Sequence, residues 1–143
     1  FFMGQAVKRA ARIIAVSKAT ADDLARTYGE VIRKKTNVIY EGVSPEFHPA
    51  SEEEKQRIHA RYNLPLRFAL SVGAAKKHKN VQMLIDACPP DLPLILVTGG
   101  KEVSRLRLHA NTRILVDVPD EDLPAIYSCA SVFVSPSLLE GFN

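Results

Sequence analysis

From residue 68 onward the apolar positions come in short runs separated by amphipathic stretches. FALSV at 68–72, LILV at 94–97, RILV at 113–116 and VFVS at 132–135 have strand length and little polar alternation, the pattern of strands covered on both faces. Between them the spacing predicts helices over about 81–88, 101–109 and 121–129. In the last of these Leu123, Ile126, Tyr127 and Ala130 share one face, and Asp120, after Pro119, is placed as the N-cap. A strand, a crossover helix and a second strand close parallel and right-handed. The expected architecture is therefore α/β, a doubly wound, Rossmann-like parallel sheet.

Before residue 68 the pattern is less regular. RIIAV at 12–16 reads as a buried strand, and Ser17 is placed to accept the first free N–H groups of a following helix. Ala21, Leu24, Ala25 and Tyr28 give that helix one apolar face, and Gly29 is positioned to close it in a left-handed conformation. TNVIY at 36–40 reads as the next strand, and EGVSPEFHP at 41–49, with Gly42, Pro45 and Pro49, as an irregular connector. Ser51 and Glu54 have the spacing of a capping box ahead of a short charged helix. Lys and Arg outnumber Asp and Glu by 12 to 8 over residues 1–67 but stand at 7 to 8 over 68–143, so a boundary is expected near residue 68.

Composition narrows the function classes. With 143 residues, 46% hydrophobic and 24% charged, the chain has enough apolar surface for one core and part of a second, which argues against disorder. Its longest apolar runs, IIAV at 13–16 and PLILV at 93–97, are far short of the ~20 residues of a membrane-spanning helix. Cys88 and Cys129 stand far apart, without a Cys-x-x-Cys pair or a His at ligand spacing, so neither a disulfide framework nor a metal site is indicated, and a cytoplasmic location is expected. The net charge of +3 is spread among acids and not gathered with aromatics, which speaks against nucleic-acid binding. The opening Phe1-Phe2 and the stop at Asn143 inside a glycine-containing loop read as cuts in a longer chain.

In a doubly wound sheet the chemistry belongs to the loops beyond the carboxyl ends of the strands. Two loops carry candidate groups. GAAKKHKN at 73–80 has Gly73 at the strand end, three lysines and Asn80 as a prospective cap. Helix N–H groups and a lysine there suit an anion such as a diphosphate. The loop lacks the three glycines of a dinucleotide fingerprint and the Gly-Lys-Ser/Thr of a P-loop, and by itself it also reads as a solvated surface. SPSLLEGFN at 135–143 has Glu140, whose carboxylate suits sugar hydroxyls, Gly141, which permits close backbone approach, and Phe142 as an apolar wall. Glu140 alone reads more readily as an exposed loop acid than as a ligand contact.

The order of segments separates these readings. RIIAVSKATADDL at 12–24, VIYEGVSPEFHP at 38–49, SVGAAKKHKNVQMLIDA at 71–87, LVTGG at 96–100 and VPDEDLPAIYSCASVFVSPSLLEGF at 118–142 together resemble the group 1 glycosyltransferases. The resemblance implies a GT-B fold. Residues 1–50 are then the tail of the amino-terminal, acceptor-side Rossmann domain with its connector, 51–67 a capped helix and linker, and 68–143 the first half of the carboxy-terminal domain that holds the nucleotide sugar. It implies that Lys79 contacts the donor diphosphate from the loop that Gly73 opens, with Ala74 beside it. It also implies that Glu140 is the first of two glutamates eight positions apart, the second falling past Asn143, and that Gly141 and Phe142 line the donor sugar. The expected catalytic pair is thus Glu140 and Lys79.

The reaction implied is transfer of a sugar from a GDP- or UDP-linked donor to an acceptor hydroxyl with retention, without metal or added cofactor. The KHKN form of the loop hints at mannose. The acceptor expected is a glycan or a lipid-linked glycan, reached through the absent amino-terminal domain, which also leaves room for peripheral association with the inner face of a membrane. By itself this stretch is expected to be inactive. Two departures stand out: Ala74 replaces an arginine common in the family, and Asn143 a glycine. Ala74 keeps a second reading open, a non-catalytic nucleotide-binding module of the same fold. A flavodoxin-like or receiver-type regulatory domain is a third, disfavoured reading.

Overall fold

The computed structural model describes residues 2–142; Phe1 and Asn143, including the expected effect of Asn143 on the last loop, lie outside it. Two compact units are present. The first contains residues up to Val43 together with Glu140–Phe142, and the second runs from Ser44 to Leu139.

In the first unit α1 (Phe2–Arg9) leads into β1 (Ile13–Ala15), α2 (Lys18–Tyr28), α3 (Glu30–Arg33) and β2 (Thr36–Val38). The two strands pair in parallel, Ile13 opposite Thr36 and Ala15 opposite Val38. Ser17 caps α2 as expected, its hydroxyl accepting the Thr20 N–H at 3.0 Å. Gly29 closes the helix at φ 97, with its N–H donating to the Ala25 carbonyl at 2.8 Å. That backbone angle favours a residue without Cβ. Lys35 Nζ donates to the carbonyls of Lys8 and Ala10 and so ties the end of α1 to the start of β2. The expectation of a buried first strand is corrected here. Ala15 is buried under α2, but Ile14, on the opposite face, is 67% exposed, because alternate side chains of a strand point to opposite faces.

The second unit begins with the irregular connector and α4 (Glu52–Tyr62), followed by β3 (Ala69–Val72), α5 (Val81–Ala87), β4 (Leu94–Val97), β5 (Thr112–Leu115), α6 (Leu123–Cys129) and β6 (Val132–Phe133). The Ser51–Glu54 capping box is formed in both directions. All four strands are parallel, in the order β5-β4-β3-β6. Alternate residues of the central strands feed two cores. Leu70, Ile95 and Val97 pack with Ile58 of α4 and Ala125 and Ile126 of α6. Ala69, Leu94 and Leu96 pack with Val81, Leu84 and Ile85 of α5. Helices thus cover both faces, which explains the unbroken apolarity of β3 and β4. Each fully buried Leu or Ile is worth about 2 kcal/mol of transfer free energy.

Two expected elements differ. The helix over 101–109 is only a 3-10 turn at Lys101–Arg105. The Gln82 side chain takes both backbone groups of Arg107, accepting its N–H at 2.9 Å and donating to its carbonyl at 3.2 Å, so those groups are withdrawn from a helical ladder. Asp120 does not cap α6. It lies inside a 3-10 turn, Asp120–Asp122, that runs straight into the helix, and the last acid of that turn, Asp122, is buried.

Candidate functional site

All four strands of the second unit end at one edge, and their order places a reversal between β3 and β6. The chain passes from β3 outward to β4 and β5 on the α5 side, then returns through α6 on the other face to pair β6 with β3. Connections that diverge from two neighbouring strands leave a crevice at their carboxyl ends. The loops bordering it are those after β3 and after β6, the two singled out from sequence.

The first begins at Gly73, whose N–H continues the ladder to the Val97 carbonyl at 2.9 Å. Its φ is 135, and a Cβ there would meet nothing within 4 Å. The demand for glycine is therefore conformational and not steric. Ala74 is half-buried. Lys77–Lys79 forms a 3-10 turn in which the Lys79 N–H donates to the Lys76 carbonyl at 2.9 Å. Lys76, Lys77 and His78 are exposed, whereas Lys79 is half-buried. Asn80 occupies the position before α5 at φ 54 and makes no side-chain cap. A capping side chain needs an extended backbone to reach the N2 or N3 N–H, so the left-handed Asn80 does not serve as the expected cap.

The second loop is joined to the first. Val134 N–H donates to the Leu70 carbonyl at 2.8 Å, and four residues on the Leu138 N–H donates to the His78 carbonyl at 2.9 Å. The backbones bordering the crevice are thereby fixed to each other. Beyond Leu139 the chain groups with the first unit, where Thr20 Oγ1 donates to the Gly141 carbonyl at 3.0 Å and the rings of Tyr40 and Phe142 lie 5.9 Å apart. Glu140 is half-buried and Gly141 and Phe142 are exposed. The six expected site residues thus form two groups: Gly73, Ala74 and Lys79 on one loop of the second unit, and Glu140, Gly141 and Phe142 with the first. The sequence reading assigned Thr20 and Tyr40 no part in the site. Their contacts span 121 and 102 positions, and the one local sign was the hydroxyl pair Ser17 and Thr20 in a first helical turn.

A buried ion-pair cluster also stands in the second unit. Asp122 is fully buried. Its carboxylate accepts from Arg57 at 3.1 Å and from the Tyr62 hydroxyl at 2.6 Å, with Arg61 at 2.9 Å. Burial works to raise its pKa, but the Tyr62 and Arg57 hydrogen bonds and the Arg61 and Arg57 charges outweigh it and hold the carboxyl below the usual range. Burial, then the Asp122 contact, pushes the Tyr62 hydroxyl up. A cavity of ≈ 440 Å³ beside α4 and α6 is lined by Phe47, His48, Pro49, Lys55, Pro124, Tyr127 and Ser128. Of these, Tyr127 also meets Phe133, the last residue of β6, with ring centroids 5.2 Å apart.

A parallel sheet with a strand-order reversal bordered by a lysine-bearing loop defines a doubly wound, Rossmann-type α/β architecture. Residues 52–143 match the family described as glycosyl transferases group 1, and residues 1–47 match glycosyltransferase family 4. The chain belongs to the group 1 glycosyltransferases. It is 30% identical to the O-antigen chain mannosyltransferase RfbU of Salmonella typhimurium, the match covering all of this chain and 40% of that protein. In fold it is similar to Alr3699/HepE of Anabaena, solved in complex with UDP-glucose, with TM-score 0.76 and 22% identity over 95% of this chain and 41% of that one. A glycosyltransferase from Rickettsia africae is similar at TM-score 0.67 and 19% identity, over 89% and 38%. The chain therefore spans about two fifths of the length of these relatives.

Proposed function

We propose that this chain supplies the diphosphate-holding part of an enzyme that moves a sugar, with mannose favoured, from a nucleotide-diphosphate donor to a hydroxyl of a glycan or lipid-linked glycan, with retention of configuration. The observation that supports the reading is the β5-β4-β3-β6 order together with the Leu138 N–H bound to the His78 carbonyl, which joins the start of the loop after β6 to the loop after β3. The mannosyltransferase likeness of RfbU supports the sugar and the glycan acceptor, and the UDP-glucose bound to HepE supports a nucleotide sugar as donor.

In this reading the bond between the anomeric carbon and the diphosphate oxygen breaks while the acceptor hydroxyl adds to that carbon on the same face and gives up its proton to the departing diphosphate. Negative charge grows on the leaving oxygen. The Lys79 ammonium and the N–H groups of the loop are fixed before the reaction and stabilise that charge more than the bound donor, which lowers the barrier. Glu140 accepts hydrogen bonds from the sugar hydroxyls and orients the ring. Lysine cannot supply the two-pronged contact of arginine, so with Ala74 in the neighbouring position Lys79 holds the diphosphate as a point charge.

The test is to titrate UDP, GDP, UDP-glucose and GDP-mannose into the full-length protein by calorimetry and to assay transfer to glycan acceptors. Binding with turnover is expected, and GDP-mannose is expected to be the better donor. Binding without turnover by any acceptor would favour the non-catalytic module that Ala74 leaves open, and absence of nucleotide binding would end both readings.

A further inference from the structure

Within the first unit a short relay of hydroxyls ends on the backbone of the last loop. Ser17 Oγ donates to Thr20 Oγ1 at 3.1 Å while accepting the Thr20 N–H at 3.0 Å, and Thr20 Oγ1 donates to the Gly141 carbonyl at 3.0 Å. Ser17 is thereby fixed as the cap of α2, and Thr20, in the first turn of that helix, has its proton committed to Gly141. Hydrogen bonds in such a chain polarise and strengthen one another. Two further contacts seat the same segment: Phe142 lies against the Tyr40 ring at 5.9 Å, and the Cα hydrogen side of Gly141 faces Val16, whose Cγ2 would stand 3.5 Å from an added Cβ.

A peptide group is planar and trans, so its carbonyl and the next N–H point in opposite directions. Fixing the Gly141 carbonyl on Thr20 therefore fixes the Phe142 N–H on the far side of the same peptide, and restrains the chain that leads to it from Glu140. We propose that Thr20 is a positioning residue for transfer: its hydroxyl holds the Glu140–Phe142 backbone in the orientation that presents Glu140 and the Phe142 N–H to the donor sugar. This rests on the reading that Glu140–Phe142 meets the sugar. It goes beyond that reading by giving the orientation of the loop to a hydroxyl 120 positions earlier in the chain. Thr20 touches no reacting atom in this account.

The experiment compares Thr20→Val, which keeps the shape and removes the hydroxyl, with Thr20→Ser, which keeps the hydroxyl, in the full-length protein. Steady-state transfer from the preferred nucleotide sugar is measured with affinity for the free nucleoside diphosphate and the unfolding midpoint. Thr20→Val is expected to lose about tenfold in kcat/KM, the size of effect that a small misplacement of a contact group produces. Affinity for UDP or GDP is expected to stay within twofold, and Thr20→Ser to recover at least a third of wild-type kcat/KM. Transfer by Thr20→Val within twofold of wild type would overturn the proposal. So would equal loss in Thr20→Ser, or a parallel loss of free-nucleotide affinity, since either would put the effect in packing and not in loop orientation. Failure of the donor-site reading is separately visible: Lys79→Ala would then bind UDP and GDP as tightly as wild type.

Discussion

Two charged connections leave neighbouring parts of the same sheet edge and meet opposite fates. The connection after β3 carries Lys76, Lys77 and Lys79, and the connection after β5 carries Asp117, Asp120, Glu121 and Asp122. In the acidic one the last residue turns inward, where Arg57, Arg61 and Tyr62 of α4 surround it. In the basic one Lys76 and Lys77 remain at the surface and Lys79 is half-buried beside the reversal in strand order. A buried charge costs several kcal/mol unless it is paired, so Asp122 is committed to holding α4 against α6. Lys79 lies instead on the loop at the carboxyl end of β3, where the proposed function has it meet the donor diphosphate. Similar-looking charge runs therefore divide into one whose acid is buried to support the fold and one that stays on a strand-end loop.

The largest test of this division is Asp122→Ala, expected to lower unfolding free energy by about 3 kcal/mol, since it leaves Arg57, Arg61 and Tyr62 without their acceptor. Urea denaturation measures this, and UDP or GDP affinity of the remaining folded protein should change less than twofold. A large loss of affinity without loss of stability would invert the comparison. The same carboxylate has a pH signature. Its folded pKa is depressed, so its stabilisation is present above the ordinary aspartate value of 3.8 and is lost as pH falls through the folded value. Asp122→Asn should therefore flatten the acid side of the stability profile.

Next in size is Lys79→Ala, expected to weaken UDP or GDP binding by about 2 kcal/mol, the worth of a charge-assisted contact, with the unfolding midpoint nearly unchanged. Gly73→Ala should cost about 1–2 kcal/mol of stability, because φ 135 is strained for any side chain even where space is open. The smallest effect is expected for Lys77→Ala, below about 0.5 kcal/mol in stability and within about twofold in nucleotide affinity, as for an exposed surface charge. An effect of Lys77→Ala as large as that of Lys79→Ala would dissolve the distinction drawn between the two lysines.

Much of this was legible in the residue order, for local reasons. The four strands of the second unit appeared where unbroken apolar runs stood. The expected cover on both faces holds only for the central β3 and β4; β5 is half-buried and Val132 and Phe133 of β6 are exposed, because edge strands of a sheet have fewer neighbours to cover them. The Ser17 cap and the Ser51–Glu54 box formed because a cap depends on atoms within three positions. The misses share the opposite cause. The helix over 101–109 gave way because Gln82, on another element, took the backbone of Arg107. Asp120 was read as a cap because nothing nearby in the chain marks Asp122 as the acid that meets Arg57 and Tyr62, some 60 positions away. Asn80 was read as a cap from its residue type, and its left-handed backbone is set by the preceding turn.

The sequence by itself determined the parallel α/β class and the loops that carry lysine, glutamate and glycine, because periodicity, caps and residue chemistry are short-range properties written along the chain. Only the tertiary structure decided that β6 returns beside β3, that Leu138 binds His78, that Asp122 is spent on α4, and that Thr20 holds Gly141. Each of those joins atoms far apart in the chain. Strand order and long-range pairing follow from which faces can be buried together, a quantity that no local window contains.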